Sequence, residues 1–187
     1  LRQGFDEFYG LPFSHDMEPL PLIRNADVIE QSPKCETLTS RFTDQAVEFI
    51  RRADERPFFL YLAHTAPHIP LAPSARFAKR SRLGTYGDVV SELDSGIGEV
   101  MKAIDDAGQD RNTLVIVTSD NGPWYQGSPG PLHGRKGDNY EGGTRVPLIA
   151  RMPGVIPQGT VCNQPSAAID LLPTIAAMTG APTPANL

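Results

Sequence analysis

The sequence predicts an α/β fold, with a mainly parallel sheet flanked by helices. Two short apolar runs, Phe58–Ala63 and Leu114–Thr118, are each bounded by turn-forming residues and read as buried strands. Between them Val89, Leu93, Ile97, Val100 and Ile104 recur at three- and four-residue steps, which predicts a helix with one apolar face. Strand, helix and strand at this spacing match a right-handed crossover joining parallel strands.

The elements follow in order. Residues 1–37 mix aromatic, proline and polar residues without a clear period and read as irregular chain, with a short strand near Leu22 to Ile29. Thr39 is placed to cap a helix in which Phe42, Ala46, Phe49 and Ile50 share a face, ending near Ala53. The strand Phe58–Ala63 then runs into a loop carrying Pro67, Pro70 and Pro73, a composition that excludes a helix interior. Gly108 stands where the long helix needs a C-terminal cap. After the strand Leu114–Thr118 comes a glycine-rich loop, then "VPLIARMPG" as a further strand. The last helix, "LLPTIAAMTG", has Asp170 as its cap, Pro173 in its first turn and Gly180 at its close.

At 187 residues the chain is long enough for one domain with a real core, and one compact unit is expected. Hydrophobic residues make up 40% and charged residues 21%, the balance of a globular chain. The formal net charge of -5 gives no electrostatic footprint for nucleic acid, and "KRSR", Lys79 to Arg82, reads as a solvated turn. No apolar run approaches the roughly 18 residues of a membrane span. Cys35 and Cys162 stand alone, without the spacing of a disulfide framework, a zinc site or a redox pair.

Candidate chemistry sits on the loops that follow the two strands, where open α/β sheets gather their ligands. Asp120 and Asn121 supply a carboxylate oxygen and an amide oxygen, donors suited to a hard cation such as calcium or magnesium. Two oxygens are too few for a calcium site of about six to eight. On the tetrapeptide alone, Asp-Asn-Gly-Pro reads equally as a turn. Lys136, in "HGRKGDNYEGG", is a cation beside glycines that leave room for an anion, or simply a solvated loop lysine. His68, in "APHIPL", can exchange a proton near neutral pH, and His64 competes with it for that role. Together, a metal pair, a lysine and a histidine on strand-end loops point to binding and cleavage of an anionic ester.

The blocks "FLYLAHTAPHIPL", "TLVIVTSDNGP", "GRKGDNYEGGTRVPLIARMPG" and "IDLLPTIAAMTGAP", with the opening "GFDEFYGLPFSHDM", resemble the central and later part of a type I sulfatase of the arylsulfatase A group. That family lies within the alkaline phosphatase superfamily. The resemblance covers nearly the whole chain, with the blocks in the family's order. It implies a sulfate-ester hydrolase on an α/β fold with a large central sheet, in which Asp120 and Asn121 match calcium ligands. It further implies that Lys136 contacts the sulfate, that His68 binds sulfate near the leaving oxygen, and that a formylglycine hydroxyl attacks sulfur. Glu141 and Arg145 are read as a structural ion pair.

Formylglycine arises from a cysteine in a C-x-P-S-R type motif, which surrounds neither Cys35 nor Cys162. The paired aspartates and the "GKWHLG"-like block of the family are also missing. The expectation is therefore that residues 1–187 are a partial sulfatase catalytic domain. Such a piece lacks the N-terminal strands with the nucleophile motif and the C-terminal subdomain, and it is inactive alone. A phosphodiester or phosphonate monoester hydrolase of the same superfamily, or a non-catalytic sulfatase-like binding protein, are the alternatives. The expected partner is a small-molecule or glycan sulfate ester, with no nucleic acid and no membrane span. Family resemblance points to secreted, periplasmic or lysosomal proteins. Oligomeric state and the identity of the ester are not encoded in any motif.

Overall fold

The computed structural model describes residues 4–53 and 56–182, and the chain divides into two units, Leu1–Val155 and Ile156–Leu187. The division departs from the single compact unit expected of this length.

In the first unit two helices carry the core. Helix α1, Leu38–Arg52, buries Leu38, Phe42, Ala46 and Ile50 along one stripe, with Thr39 and Thr43 beside them. Its N-cap is Thr37, two residues before the Thr39 expected from sequence, and Thr39 is itself buried in the first turn. Helix α2, Gly84–Asp106, buries Val89, Glu92, Gly96, Val100, Ala103 and Ile104. Leu93 and Ile97 lie at the margin of that face, half-buried, because small residues occupy its centre. Gly96 is the reason for the close packing. A Cβ there would lie 2.5 Å from the Thr43 hydroxyl oxygen of α1, and that hydroxyl is already committed to the Thr39 carbonyl at 2.9 Å. Beyond α2 the chain turns at Gly108, whose φ of 67° suits glycine.

Against these helices lies the run Phe58–Ala63. Ala46, Ile50, Val100, Ala103 and Ile104 form one buried cluster, with Phe58, Leu60, Leu62 and Val115 packed on it. Leu62 also touches a second cluster of Leu22, Leu38 and Phe42, so it joins the two. Exposure alternates along the run: Phe58, Leu60 and Leu62 are half-buried, while Phe59, Tyr61 and Ala63 are exposed. That period of two is the strand pattern. Yet among the described residues this run has no strand partner, and none of its backbone groups is paired with another backbone group.

The opening segment, read as irregular apart from one short strand near Leu22 to Ile29, holds a three-stranded antiparallel sheet of β1, Tyr9–Gly10, β2, Pro21–Arg24, and β3, Asp27–Gln31, so the one expected strand is two, broken at a turn. The reversal between β2 and β3 is made by Asn25 at φ 56°, whose side-chain oxygen accepts the Phe8 N–H at 3.0 Å. Asparagine tolerates this left-handed conformation, a signal the apolar pattern does not carry. Strand β4, Val115–Thr118, pairs antiparallel with β5, Leu148–Arg151. The α/β class stands, but the parallel ladder expected between Phe58–Ala63 and Leu114–Thr118 is not formed among the described residues. The two segments share a side-chain core without exchanging backbone hydrogen bonds.

Of the turn "KRSR", the amides of Lys79, Arg80 and Ser81 donate to the Asp88 carboxylate at 2.7, 3.0 and 2.6 Å, and those bonds hold that carboxyl below its usual range. Between β4 and β5 lies the four-residue helix α3, Glu141–Thr144. In the second unit, α4, Leu171–Thr179, begins after Asp170 as expected and closes at Gly180 with φ 72°. The Asp170 carboxylate does not cap α4, however. It accepts the Ala167 N–H of the preceding 3-10 turn at 2.7 Å.

Gly96→Ala should destabilise the chain by about 1–3 kcal/mol, because neither the buried Thr43 nor the α1 backbone can yield. Urea unfolding checks this, and an unchanged midpoint contradicts the packing argument. Amides of residues 59–63 should exchange with solvent near intrinsic rates while those of α1 and α2 stay protected. Protection of the run equal to that of the helices would overturn its unpaired state.

Candidate functional site

Two groups of loop residues carry the candidate chemistry. The first follows β4, where Asp120 and Asn121 stand at the head of a loop that must fold back on itself. Three backbone bonds fasten it: Gly122 N–H to Gly143 O at 2.8 Å, Lys136 N–H to Pro123 O at 3.1 Å, and Gly142 N–H to His133 O at 2.7 Å. Such contact requires backbones without side chains. A Cβ at Gly122 would lie 1.9 Å from Gly142 O, one at Gly142 would lie 2.1 Å from Gly134 O, and one at Gly143 would lie 2.3 Å from Asp138 O. The segment "YEGG" is thus wedged between the two loops, and Asp120, Asn121 and Lys136 are brought onto one assembly. The ion pair of Arg145 with Glu141 exists, at 3.2 Å, but both side chains are about two-thirds exposed. An exposed i,i+4 pair contributes only a few tenths of a kcal/mol, so the glycine backbones, not this pair, hold the loop.

Asp120 and Asn121 lie side by side, the amide of Asn121 donating to the Asp120 carboxylate. Turning that amide over exchanges its nitrogen for its oxygen and sets two hard oxygen donors next to each other. This donor set fits a share of a calcium site. Among the described residues no group of three His, Cys, Asp or Glu side chains is placed to hold a metal ion, so this pair alone does not complete a coordination sphere. Neither Asp120 nor Lys136 forms an ion pair among the described residues.

The second group follows the run Phe58–Ala63. His68 is half-buried in a loop whose Ala66–Pro67 and Ile69–Pro70 peptide bonds are cis. Its Nδ1 lies 2.7 Å from the Ile69 carbonyl oxygen. A carbonyl only accepts, so Nδ1 carries a proton and Nε2 is the nitrogen left for a ligand. The buried His15 packs edge-on against His68, with ring centroids 5.7 Å apart, and its Nε2 donates to Pro70 O at 3.3 Å. Burial lowers the His15 pKa, only partly offset by that hydrogen bond, and favours a neutral ring. Sequence reasoning missed His15. It lies in the "SHDM" of the opening block, but nothing local shows that it meets a loop 53 residues later. No hydrogen bond links the His68 loop to the Asp120–Lys136 assembly among the described residues.

His64 is a different kind of residue. Both ring nitrogens are buried without a hydrogen-bond partner among the described residues, and the ring packs near Phe42 at 6.3 Å. Desolvation pushes its pKa down to about 4. Of the cysteines, Cys35 is half-buried, with its thiol pKa raised by burial, and Cys162 is exposed.

A sulfatase family model matches residues 2–181. Human arylsulfatase A is 39% identical over 213 residues, covering 98% of this chain and 42% of its own length. Human steryl-sulfatase is 38% identical over 186 residues, covering 93% of this chain and 32% of its own. The solved structure of Ps i-CgsB in complex with k-i-k-neocarrahexaose superposes with a TM-score of 0.86 at 31% identity, covering 99% of this chain and 48% of that one. The chain thus spans less than half the length of each of these relatives.

The state of His64 yields a signed expectation. Its folded pKa of about 4 lies below the ordinary histidine value, so between the two the unfolded chain binds the extra proton. Stability should be fully present above about pH 6.5 and fall as pH drops toward 4. His64→Leu should remove that component of the loss. Denaturant midpoints across this range test it, and equal acid sensitivity of both proteins contradicts the buried neutral ring.

Proposed function

The chain belongs to the sulfatase family, and from that premise we propose that it is part of the catalytic domain of an enzyme that hydrolyses sulfate esters. The observation that carries this reading is the glycine-interlocked assembly, which ties together the backbones bearing Asp120, Asn121 and Lys136, whose two charges have no ion-pair partner among the described residues.

In this reading Asp120 and Asn121 are two ligands of a calcium ion whose other ligands lie outside residues 1–187. Held by Asp120 and Asn121, calcium would supply positive charge toward the sulfate oxygens. Lys136 provides a second, compact positive charge for the same anion. Its N–H bond to Pro123 fixes its backbone relative to the Asp120 turn. His68 keeps its Nδ1 proton on Ile69 O, so any second proton resides on Nε2 and can pass to the departing alcohol oxygen. His15 holds the ring and its loop in position. The attacking oxygen is proposed to come from a formylglycine outside this chain, since neither cysteine here has the required surroundings.

The substrate class follows from chemistry and kinship together. An aryl, steryl or glycan sulfate presents the same monoanionic ester to such a site, and the names of the two curated relatives cover the first two. The family's substrate is therefore proposed for the parent protein at the level of a sulfate ester.

In the parent enzyme Lys136→Ala should lower kcat/KM for an aryl sulfate by about 10²–10³. Asp120→Ala should weaken calcium binding measured by calorimetry. Unchanged kinetics in the lysine variant would remove it from the site. Residues 1–187 alone should show no turnover. Measurable hydrolysis by this chain, abolished by Lys136→Ala, would overturn the partial-domain reading.

A further inference from the structure

The turn Pro123–Gly127 is ordered well beyond what an exposed loop needs. It is closed by the Gly127 N–H bond to Trp124 O at 3.1 Å. Arg135 then clamps it, its Nη1 donating to Trp124 O at 3.1 Å and to Gly127 O at 2.8 Å. The same guanidinium lies over the Tyr125 ring, 5.4 Å from its centroid. At the far end, a Cβ on Gly127 would fall 2.9 Å from the Tyr86 hydroxyl, so the turn rests directly on α2.

All this ordering leaves the two aromatic rings outside. Trp124 is 44% and Tyr125 72% exposed, and the rings meet edge to face at 4.8 Å. Burial in this chain therefore does not explain them. A rigid backbone presenting aromatic faces binds flat apolar surfaces at low entropic cost, since few rotamers remain to be fixed. The position of this platform selects its occupant. Arg135 precedes Lys136, and the Lys136 N–H is bonded to Pro123, the residue before Trp124. An ester whose anionic end sits at Lys136 must extend its alcohol part past neighbouring structure, and these rings belong to the same clamped unit.

We infer that Trp124 and Tyr125 form a stacking subsite for the ring of a cyclic alcohol whose sulfate group is held at Lys136. The inference rests on the sulfate-ester reading and adds a preference to it: ring-borne over acyclic sulfates, with Arg135 as the residue that positions the platform.

Kinetics of the parent enzyme test this with phenyl sulfate, a hexose sulfate and the acyclic propyl sulfate. Trp124→Ala and Tyr125→Ala should each raise KM for a ring ester about three- to tenfold, with kcat within about twofold and propyl sulfate unaffected. Trp124→Phe should restore most of the loss. Equal changes for cyclic and acyclic esters, or no change for either, overturn the subsite. The relative losses for phenyl and hexose sulfate tell which kind of ring it takes. If the parent hydrolyses no sulfate ester, the hydrolase reading fails, and the subsite is judged separately by saturation-transfer NMR with phenol and a hexose. Transfer to ring protons that is lost in Trp124→Ala supports it, and absent or unchanged transfer overturns it.

Discussion

The close approach of α1 and α2 at Gly96 is the constraint from which the remaining architecture follows. With Thr43 seated directly over a residue that has no side chain, the two helices bring Ala46 and Ile50 against Val100, Ala103 and Ile104. That cluster is the floor on which Phe58, Leu60, Leu62 and Val115 rest. The loops of the candidate site begin where those extended segments end. A wider helix pair would lower the floor, and the His68 loop and the Asp120 turn would lose their common reference. The energetics agree with this ordering, because a well-packed floor of aliphatic side chains contributes far more than the exposed ion pairs around it.

A second kind of contact takes over at the site itself. Side chains hold the helices together, but bare backbone holds the site loops together, through Gly122, Gly142 and Gly143. The difference suits the chemistry. Backbone-to-backbone contact fixes position without introducing a countercharge, so among the described residues the carboxylate of Asp120 and the ammonium of Lys136 stay without an ion-pair partner. A site built from ion pairs would have neutralised the charges it needs. Around the other loop, His15 and His64 illustrate the same separation of roles. His15 is spent on a carbonyl and on the ring of His68, whereas His64 is held neutral by burial alone.

Much of this was readable from residue order, and the failures have physical causes. Both long helices were legible because apolar residues at three- and four-residue steps report directly on burial, and Gly108 after α2 and Gly180 after α4 marked helix ends through their positive φ. The antiparallel sheet near the N-terminus was not, because its reversal depends on Asn25 and its side-chain bond to Phe8 rather than on any apolar period. The parallel pairing was inferred from spacing, but spacing governs connection and not hydrogen bonding. For the site, Asp120, Asn121 and Lys136 are each ambiguous in isolation, and only their order along the chain, matched to the family, favours a site over a turn. His15 remained invisible since its partner is remote in sequence. Arg135 is visible beside Lys136 in the same loop, but its contacts are not, because they are made to carbonyls, which every residue possesses.

The unpaired run Phe58–Ala63 has a further consequence for how this polypeptide behaves in a cell. Six consecutive uncharged residues, rich in Phe, Leu and Tyr and free of Pro, are the composition that recruits other strands or chaperones while a chain is still incomplete. Arg56 and Pro57 stand immediately before it and Pro67 shortly after it, a charge and ring constraints that oppose extension of any cross-strand stack. The segment packed on the helix core ahead of His68 thus also has the composition of an aggregation-prone strand, and its flanking residues are of the gatekeeper type.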